Sequence, residues 1–385
     1  MNLLQTPFFA SMKKAFIILL LAAISKVNAQ TTNDVLNLLV SNKSITQEQA
    51  DSIRADAAIK QQETDANKKS FLVTAARQIK LSGYTQVRYQ ALDEPNKKDG
   101  FDIRRARLDL TGNFTPYLSF RMLTEFADKP KIMDAYAEVK FNDYFSLTIG
   151  QFRIPFSIEN LTPVRVFELI DFSQAVDAMV ARNKDVIGNQ NGRDIGIQLG
   201  GAIWKKGTNT LVEYRIGVVN GSGINVADTA NEGKDIVGRL VINPVKGFSF
   251  GGSYYNGWGK AIKPASGYKG KSQPRNRFGF EASYTANRLS ARGEYIQGID
   301  GETDKAGWYT WVGYYIIRQK LQIVGKYDTF DPDKSTEDNI STNYVIGANF
   351  NFNTWSRLQA FYTFREEEGV AVNNNYFSLQ FQIGF

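Results

Sequence analysis

Cysteine and histidine are both absent from the 385-residue sequence. Without cysteine the chain forms no disulfide and offers no thiolate nucleophile, and without histidine it has no imidazole base. Both residues are also the usual ligands of transition metals, so most metalloenzyme and hydrolase chemistry is excluded. Long apolar runs are scarce as well: the run from Ala15 to Ile24 has ten residues, whereas a membrane-spanning helix needs about 20.

The residues that are present favour a β-rich fold. Aromatic residues make up 13% of the chain, glycine occurs 32 times, and hydrophobic residues reach 43%, which is too many for a disordered chain. The 46 Lys and Arg residues exceed the 39 Asp and Glu residues and give a formal net charge of +7. The mean hydropathy of −0.32 excludes a bundle of membrane-spanning helices.

The N-terminus has the pattern of a secretory signal peptide. Lys13 and Lys14 precede the apolar run, and Val27-Asn28-Ala29 ends in the small residue of a cleavage site. We therefore expect residues 1–29 to be a cleaved signal peptide and the mature chain to begin at Gln30. An exported chain does not normally meet nucleic acid, so no nucleic-acid partner is expected.

A helical segment is predicted after the signal peptide. Residues 34–40 place apolar side chains at helical spacing, and Thr46 and Gln49 match the capping box that starts a second helix. A polar stretch that reads as a linker comes next. Residues 30–75 are thus expected to form a periplasmic helical segment and linker ahead of the main domain, residues 76–385.

From Ile79 onward, apolar and polar side chains alternate with the period of two that places them on opposite faces of a β-strand. In one window, Ala106, Leu108 and Leu110 alternate with arginine and aspartate. About sixteen such windows follow one another to the C-terminus. Charged residues occupy the polar faces of these windows and are missing from the apolar faces.

That distribution predicts a transmembrane barrel. A soluble sheet buries its apolar face under a second layer, whereas a wall that faces lipid is apolar outside, and a charge at its midplane costs roughly 2–4 kcal/mol. Because unpaired backbone groups are costly in hydrocarbon, the sheet must also close on itself. We expect an all-β fold: a 16-stranded antiparallel transmembrane β-barrel, wide enough to hold water, with a short N-terminal helical segment.

Aromatic residues and the C-terminus favour an outer-membrane location. We expect aromatic belts at the two membrane interfaces, formed by residues near strand ends or on the outer face. The candidates are Tyr254, Tyr255, Trp258, Tyr309, Trp311, Tyr314 and Tyr315. The last window alternates from Phe377 to a terminal Phe385 and resembles the strand that the outer-membrane barrel assembly machinery reads.

Three motifs in this order resemble the phosphate-selective porin O and P family. They are FDIRRARL at Phe101–Leu108, GQFRIPFSIE at Gly150–Glu159 and GKYDTFDP at Gly325–Pro332, and the likeness runs from about Ile79 to Phe385. The resemblance implies an outer-membrane porin of sixteen strands, often a homotrimer, whose third long loop folds inward and narrows the channel. On this chain that loop corresponds to residues 154–192.

Strand register and the inward loop supply a set of candidate pore-lining, anion-attracting residues. A net positive lumen wall raises the local concentration of anions. The set comprises Arg105, Arg107, Arg121, Arg165, Arg182, Lys184, Arg215, Arg239, Arg277, Arg292 and Arg357. An equal alternative is that these charges mainly pair with acidic neighbours and stiffen the wall. Because the loop mixes charges of both signs, a weak preference for anions is predicted, with phosphate one candidate.

The favoured interpretation is a porin that lets small hydrophilic solutes diffuse passively across the outer membrane. Passive diffusion needs no turnover, so no catalytic residue, metal or cofactor is expected. One alternative is an outer-membrane barrel whose external loops act in adhesion or catalysis. Another is a secreted, soluble β-protein that binds glycans.

An acidic cluster near the C-terminal third is a candidate calcium site, because oxygen ligands suit hard cations. Its members, expected in one external loop, are Asp328, Asp331, Asp333, Glu337 and Asp338. Their spacing does not match an EF-hand, and a solvated acidic loop is the favoured interpretation.

Signal-peptide cleavage predicts the N-terminus of the mature protein. Protein isolated from the outer membrane should begin at Gln30, as N-terminal sequencing or intact-mass measurement would show. A mass that includes Met1 would contradict the assignment.

Overall fold

The computed structural model describes residues 36–42, 44–61, 79–94, 97–206, 209–226, 233–260 and 272–385. The chain divides into two compact units, Met1–Arg77 and Gln78–Phe385. In the first unit, residues 36–41 form helix α1 and residues 47–61 form helix α2. The expected signal peptide and the polar linker lie outside the described residues. No helix in these ranges is long and apolar enough to cross a membrane.

Helix α2 begins at the predicted capping box. The backbone N–H of Thr46 donates to Gln49 Oε1 at 2.9 Å, and the backbone N–H of Gln49 donates to Thr46 Oγ1 at 3.2 Å. These reciprocal bonds satisfy two N–H groups that the first turn leaves without helical partners. Arg54 on α2 donates to Asn37 on α1 at 2.5 Å, so the two helices contact each other.

The second unit is a sheet of seventeen strands. They are β1 Ile79–Leu92, β2 Gly100–Asn113, β3 Leu118–Glu125, β4 Lys131–Lys140, β5 Ser146–Arg153, β6 Arg193–Lys206, β7 Asn209–Val219, β8 Asp235–Val245, β9 Phe248–Asn256, β10 Trp258–Lys260, β11 Ser272–Ala286, β12 Leu289–Asp300, β13 Thr303–Ile317, β14 Leu321–Asp331, β15 Ser341–Asn351, β16 Arg357–Glu367 and β17 Tyr376–Gly384. Helix α3 Ile158–Leu161, a 3₁₀ turn Val164–Val166 and helix α4 Gln174–Met179 lie between β5 and β6.

The sheet closes into a barrel. Each strand pairs antiparallel with its neighbours, and β17 pairs with β1 from Tyr84↔Gly384 to Leu92↔Tyr376. Strands β9 and β10 both pair with β11 and together occupy one strand position of the barrel, interrupted at Gly257. The barrel therefore has sixteen strand positions, and the predicted 16-stranded closed fold is confirmed.

The two ends of the barrel differ in the length of their connections. At one end the turns are short, such as residues 246–247 between β8 and β9. At the other end most connections are longer and include residues 154–192 between β5 and β6, although residues 301–302 alone join β12 to β13. Strand β1 starts and β17 ends at the short-turn end. In outer-membrane barrels the short turns face the periplasm and the long loops face outward.

The outer face of the wall carries apolar side chains, as the alternation predicts. Ile197 is 50% exposed, Phe280 63% and Ile346 57%. The inward-facing residues of the same strands include Gln198, Glu281 and Asn349, which are buried. An isolated sheet would not leave its oily face uncovered in water, so this surface suits contact with lipid.

Four of the predicted belt residues point into the barrel instead, and one of them, Tyr315, lies opposite the buried Gln322 of β14. Tyr255, Tyr309 and Trp311 are at most 2% exposed, and all three belong to the internal hydrophobic cluster. The prediction was wrong for them because the period of two separates neighbours: Trp308 and Tyr314 face outward from β13, and Tyr309 and Trp311 therefore face inward.

The acidic residues that were predicted to share one external loop do not all lie in it. Asp328 lies within β14, is 1% exposed and pairs with Lys326 at 3.1 Å, so it cannot join the residues of the β14–β15 connection. No group of three or more potential metal-ligating residues occurs in the part of the chain that the structure describes.

A substitution at Gly150 in β5 can test how closely the wall strands pack. Its φ is +129°, and a Cβ there would lie 2.2 Å from the carbonyl oxygen of Ala135 on β4. We expect Gly150→Ala to destabilise the barrel by about 1–3 kcal/mol because the strained backbone and the clash add. The measurement is gel mobility after heating at increasing temperatures. The substitution should lower the temperature at which the band shifts from the position of the folded protein to that of the unfolded protein.

The matched control is Gly325→Ala. Gly325 lies in β14, and an added Cβ meets nothing within 4 Å. Equal melting temperatures for the two variants would contradict the role assigned to Gly150.

Candidate functional site: the barrel lumen

Residues 154–192, called the inward loop from here on, lie inside the barrel. Phe156, Phe167 and Met179 from this loop share a buried cluster with Tyr309 and Trp311 from the inner face of the wall. A loop above the rim could not bury side chains at the middle of a strand. The inward position that the family resemblance implied is therefore confirmed.

Polar contacts fix the loop along its length. Ser157 Oγ donates to Glu294 Oε2 on β12 at 2.8 Å. The backbone N–H of Gln174, at the start of α4, donates to Asp328 on β14 at 3.1 Å. Arg357 on β16 donates to the carbonyl oxygen of Phe167 at 2.8 Å. Contacts to three strands on one side of the barrel hold the loop against that side.

A buried ion pair adds a fourth attachment. Arg275 on β11 donates to both carboxylate oxygens of Asp185, at 2.9 and 3.2 Å. Burial alone would raise the pKa of Asp185, but the guanidinium groups of Arg275 and Arg277 outweigh it and hold this pKa below the usual range. The carboxylate therefore stays ionised at neutral pH and keeps both hydrogen bonds.

Asn160 in α3 joins the two ends of the inward loop. Its side-chain Nδ2 donates to the carbonyl oxygen of Gly192 at 3.1 Å, and its Oδ1 accepts from Arg182 at 2.6 Å. Gly192 has φ +70°, and a Cβ there would lie 1.8 Å from Asn160 Oδ1. Only glycine fits this position without moving Asn160.

A cavity of about 690 Å³, the outer cavity, opens at the long-loop end between the inward loop and the wall strands β15 to β17 and β1 to β4. Its cationic lining is Arg88, Lys97, Arg104, Arg105, Arg107, Lys131, Arg182, Lys184 and Arg365. Its acidic lining is Glu94, Asp102, Glu125, Asp128, Asp171 and Asp177. Cations therefore outnumber carboxylates around this cavity.

A second cavity of about 450 Å³, the inner cavity, lies toward the short-turn end. Its charged lining is Arg121, Lys140, Arg153 and Arg215 with Asp134, Glu138, Asp143 and Glu213. Here the two signs balance. Because fixed charge in a confined lumen sets the local ion concentration, the two cavities differ in their attraction for anions.

Arginines lie where the linings of the two cavities approach each other. Arg182 lines the outer cavity and donates to the side-chain oxygen of Asn160. Arg153 lines the inner cavity and donates to the backbone carbonyl oxygen of Asn160 at 2.8 Å. Arg193, which lies opposite Arg153 in the β5–β6 pair, binds Asp134 at 2.5 Å. Arg153, Arg182 and Arg193 thus form a cationic group between the two cavities.

Some of the predicted lumen cations pair with carboxylates. Arg107 binds Glu125 at 2.7 Å, and Arg121 binds Asp109 at 2.8 Å. Arg239 pairs with Glu281, and Arg277 pairs with Asp300 at 2.5 Å. These pairs match the alternative in which wall charges stiffen the barrel.

Arg105 and Arg182, like Lys184, lie near the outer cavity and lack such a partner among the described residues. Arg105 is 9% exposed and donates to the amide oxygen of Gln86 at 2.8 Å. Arg182 stacks on Phe172 at 3.7 Å from its ring centroid. Within the described ranges, neither has a carboxylate oxygen within 4 Å. Burial, reinforced by the neighbouring Arg193, lowers the pKa of Arg182 although the carboxylates of Asp177 and Glu159 partly oppose this shift.

The remaining predicted residues are spread over the lumen. Lys184 lines the outer cavity and Arg215 the inner one. Arg165 lies over the ring of Trp355, in the turn between β15 and β16. Arg292 binds Thr162 at 3.0 Å, and Arg357, like Arg277, donates to loop carbonyls; these three lie beneath the inward loop rather than beside a cavity.

Sequence alternation missed Arg104, which lies next to Arg105 and should face outward. Strands β1 and β2 shift register here, with Gln86 opposite Arg105 and Val87 opposite Ile103. The extra residue in this bulge turns Arg104 inward, where it binds Asp171 at 2.6 Å. Nothing in the residue pattern marks the bulge except the adjacent pair of arginines.

A closed barrel with an apolar outer wall, a charged lumen and an inward loop is the architecture of an outer-membrane channel. The sequence profile of the phosphate-selective porin O and P family matches residues 79–385, and the chain belongs to this family. The resemblance drawn from the three motifs is confirmed. Family membership favours a channel over a barrel with adhesive or catalytic loops.

Solved structures share the fold at low sequence identity. OmpF of Salmonella typhi in complex with daunomycin is 12% identical, with a TM-score of 0.60, over 80% of this chain and 97% of the other. OmpT of Vibrio cholerae in its trimer form is 14% identical, with a TM-score of 0.56, over 80% and 99%. The channel DcaP of Acinetobacter baumannii is 12% identical, with a TM-score of 0.56, over 80% and 97%. A search of curated proteins found no match.

The ion pair of Asp185 makes the attachment of the loop testable. Asp185→Asn removes the nearer carboxylate of the buried Arg275, leaves it only Asp235 at 4.0 Å, and should destabilise the docked loop by about 3–5 kcal/mol. Because the folded-state pKa is lowered, this stabilisation is complete above about pH 4, the value of a free aspartate. It is lost as the pH falls through the lowered pKa.

Faster proteolysis within residues 154–192 and noisier single-channel currents should reveal the released loop. Asp177→Asn is the control, because Asp177 lies on the same loop and has no cation within 4 Å in the described ranges. If both variants behave like the unmodified protein, the ion pair does not hold the loop.

Proposed function

We propose that this porin allows passive diffusion of small hydrophilic solutes across the outer membrane with a weak preference for anions, phosphate among them. The observation that supports the preference is the excess of cations around the outer cavity. Arg105 and Arg182 carry most weight because, among the described residues, neither forms an ion pair with a carboxylate within 4 Å. The preference is weak because six carboxylates line the same cavity.

Ion pairing on the wall explains why only part of the lumen attracts anions. An arginine that shares two hydrogen bonds with a carboxylate, as Arg121 does with Asp109, presents almost no net field. An arginine bound to a neutral amide keeps its full charge. The selective region is therefore the base of the outer cavity, and the balanced inner cavity lets solutes leave.

We further propose that the inward loop limits the size of the solutes that pass. It fills one side of the lumen with apolar side chains and leaves polar cavities on the other. A solute must pass the arginines that flank Asn160, so the loop sets both the width and the charge of the passage.

The proposal includes partners. The apolar wall suits outer-membrane lipid, and the trimer form of OmpT supports a homotrimer, which light scattering of the detergent-extracted protein would show as three chains. Phe385 completes the barrel by exchanging backbone hydrogen bonds with Gly83 at 2.9 and 3.2 Å. Its recognition by the barrel assembly machinery stays a prediction, and the outer-membrane yield of a chain without Phe385 would test it.

Planar-bilayer recording tests the function directly. The protein should give stepwise conductance, and the reversal potential in a salt gradient should show a modest anion preference. Arg105→Glu should lower the anion-to-cation permeability ratio, because it inverts a charge that no carboxylate compensates.

Lys320→Glu is the control, because Lys320 makes the same change of charge in an exposed turn at the short-turn end. A silent protein would overturn the channel, and equal ratios for both variants would overturn the role of Arg105.

A further inference from the structure

The outer cavity is larger than an inorganic anion requires. Its volume of about 690 Å³ falls in the range of sites that enclose organic molecules. Arg105 and Arg182 supply positive charge at its base, and Lys184 lies on its loop side. The cavity thus offers room for an organic molecule in contact with a cationic floor.

Neutral amides make up much of the rest of the lining. They are Gln90, Gln174, Asn183, Asn189, Asn191, Asn343 and Asn374. An amide side chain both donates and accepts hydrogen bonds, and so does a hydroxyl group. Inorganic phosphate near neutral pH offers mainly acceptors. The amide lining therefore matches a solute with several hydroxyl groups better than it matches phosphate.

Two acidic residues of the lining also favour a hydroxylated solute over phosphate. Asp128 and Asp177 line the cavity and have no cation within 4 Å in the ranges described. Each carboxylate accepts hydrogen bonds from hydroxyl groups and repels a second negative charge on the solute. A monoanion with hydroxyl groups satisfies both these carboxylates and the cationic floor.

The aromatic residues of the cavity argue against neutral sugars. The Phe172 ring is covered by the guanidinium group of Arg182 at 3.7 Å from its centroid, and the Tyr376 ring by that of Arg365 at 5.0 Å. These faces are occupied by cations rather than left open for a sugar ring to stack on. Binding must therefore depend on charge and hydrogen bonds.

We propose that the outer cavity takes up hydroxylated organic monoanions the size of a monosaccharide, such as sugar acids, in preference to inorganic phosphate and to neutral sugars. This inference rests on the proposed function, because it names the solute class of the same cavity. Arg105 and Lys184 bind the carboxylate, and the amides and Asp177 bind the hydroxyl groups.

Current block in planar bilayers tests the inference with three probes: glucuronate, glucose and inorganic phosphate at pH 7. Glucuronate added on the long-loop side should interrupt the open-channel current at a concentration about tenfold lower than phosphate, the ratio expected for one additional good hydrogen bond. Glucose should block less than either anion.

Two variants locate the site. Arg105→Gln combined with Lys184→Gln should raise the glucuronate concentration needed for block by about tenfold, because charge-assisted hydrogen bonds are lost. Asp177→Asn should strengthen block by phosphate relative to glucuronate, since it removes a repelling charge. Lys320→Gln removes a positive charge outside the lumen and should change neither block.

The outcomes separate the two proposals. A conducting, anion-preferring channel that phosphate blocks at a concentration equal to or below that of glucuronate would overturn this inference and leave the proposed function standing. Equal block by glucose and glucuronate would also overturn it. A protein without conductance would overturn the proposed function itself.

Discussion

The whole structure depends on one constraint: a backbone in hydrocarbon must pair every N–H and C=O group within the protein. For this chain the constraint is met by the seam between β1 and β17, which removes the last free edges of the sheet. Closure in turn fixes the two faces of every strand. The residues that face lipid are apolar, and the polar residues of the same strands have only the lumen to occupy.

A lumen lined by polar groups would be wide and unselective without the inward loop. The loop carries its own apolar residues, and these cover Tyr309 and Trp311 on the wall, so its docking buries apolar surface that water would otherwise meet. Buried hydrogen bonds to Glu294, Asp328 and Arg357 then specify where it docks. The remaining space is divided into one cavity with excess positive charge and one in which the charges balance.

The sequence predicted the barrel well because its main signal is the alternation that lipid imposes on each strand. It could not locate the irregularities. The bulge beside Gln86 turns Arg104 inward, and the register shift between β3 and β4 buries both Met133 and Asp134. Alternation also does not predict which inward-facing residues contact water. Arg277 and Arg105 have the same sequence pattern, yet the inward loop covers Arg277 whereas the outer cavity adjoins Arg105. That difference is set by tertiary packing, which residue spacing does not encode.

The division between a lipid-facing wall and a wet lumen can be measured directly, because the chain has no cysteine of its own. Single cysteines at Lys184, which lines the outer cavity, and at Val312, which is 49% exposed on the outer wall, would be treated with a membrane-impermeant thiol reagent in intact outer membranes. Thiol reactivity requires the thiolate, which forms in water and not in hydrocarbon. The account predicts that Lys184→Cys reacts and Val312→Cys does not; the reverse result would contradict it.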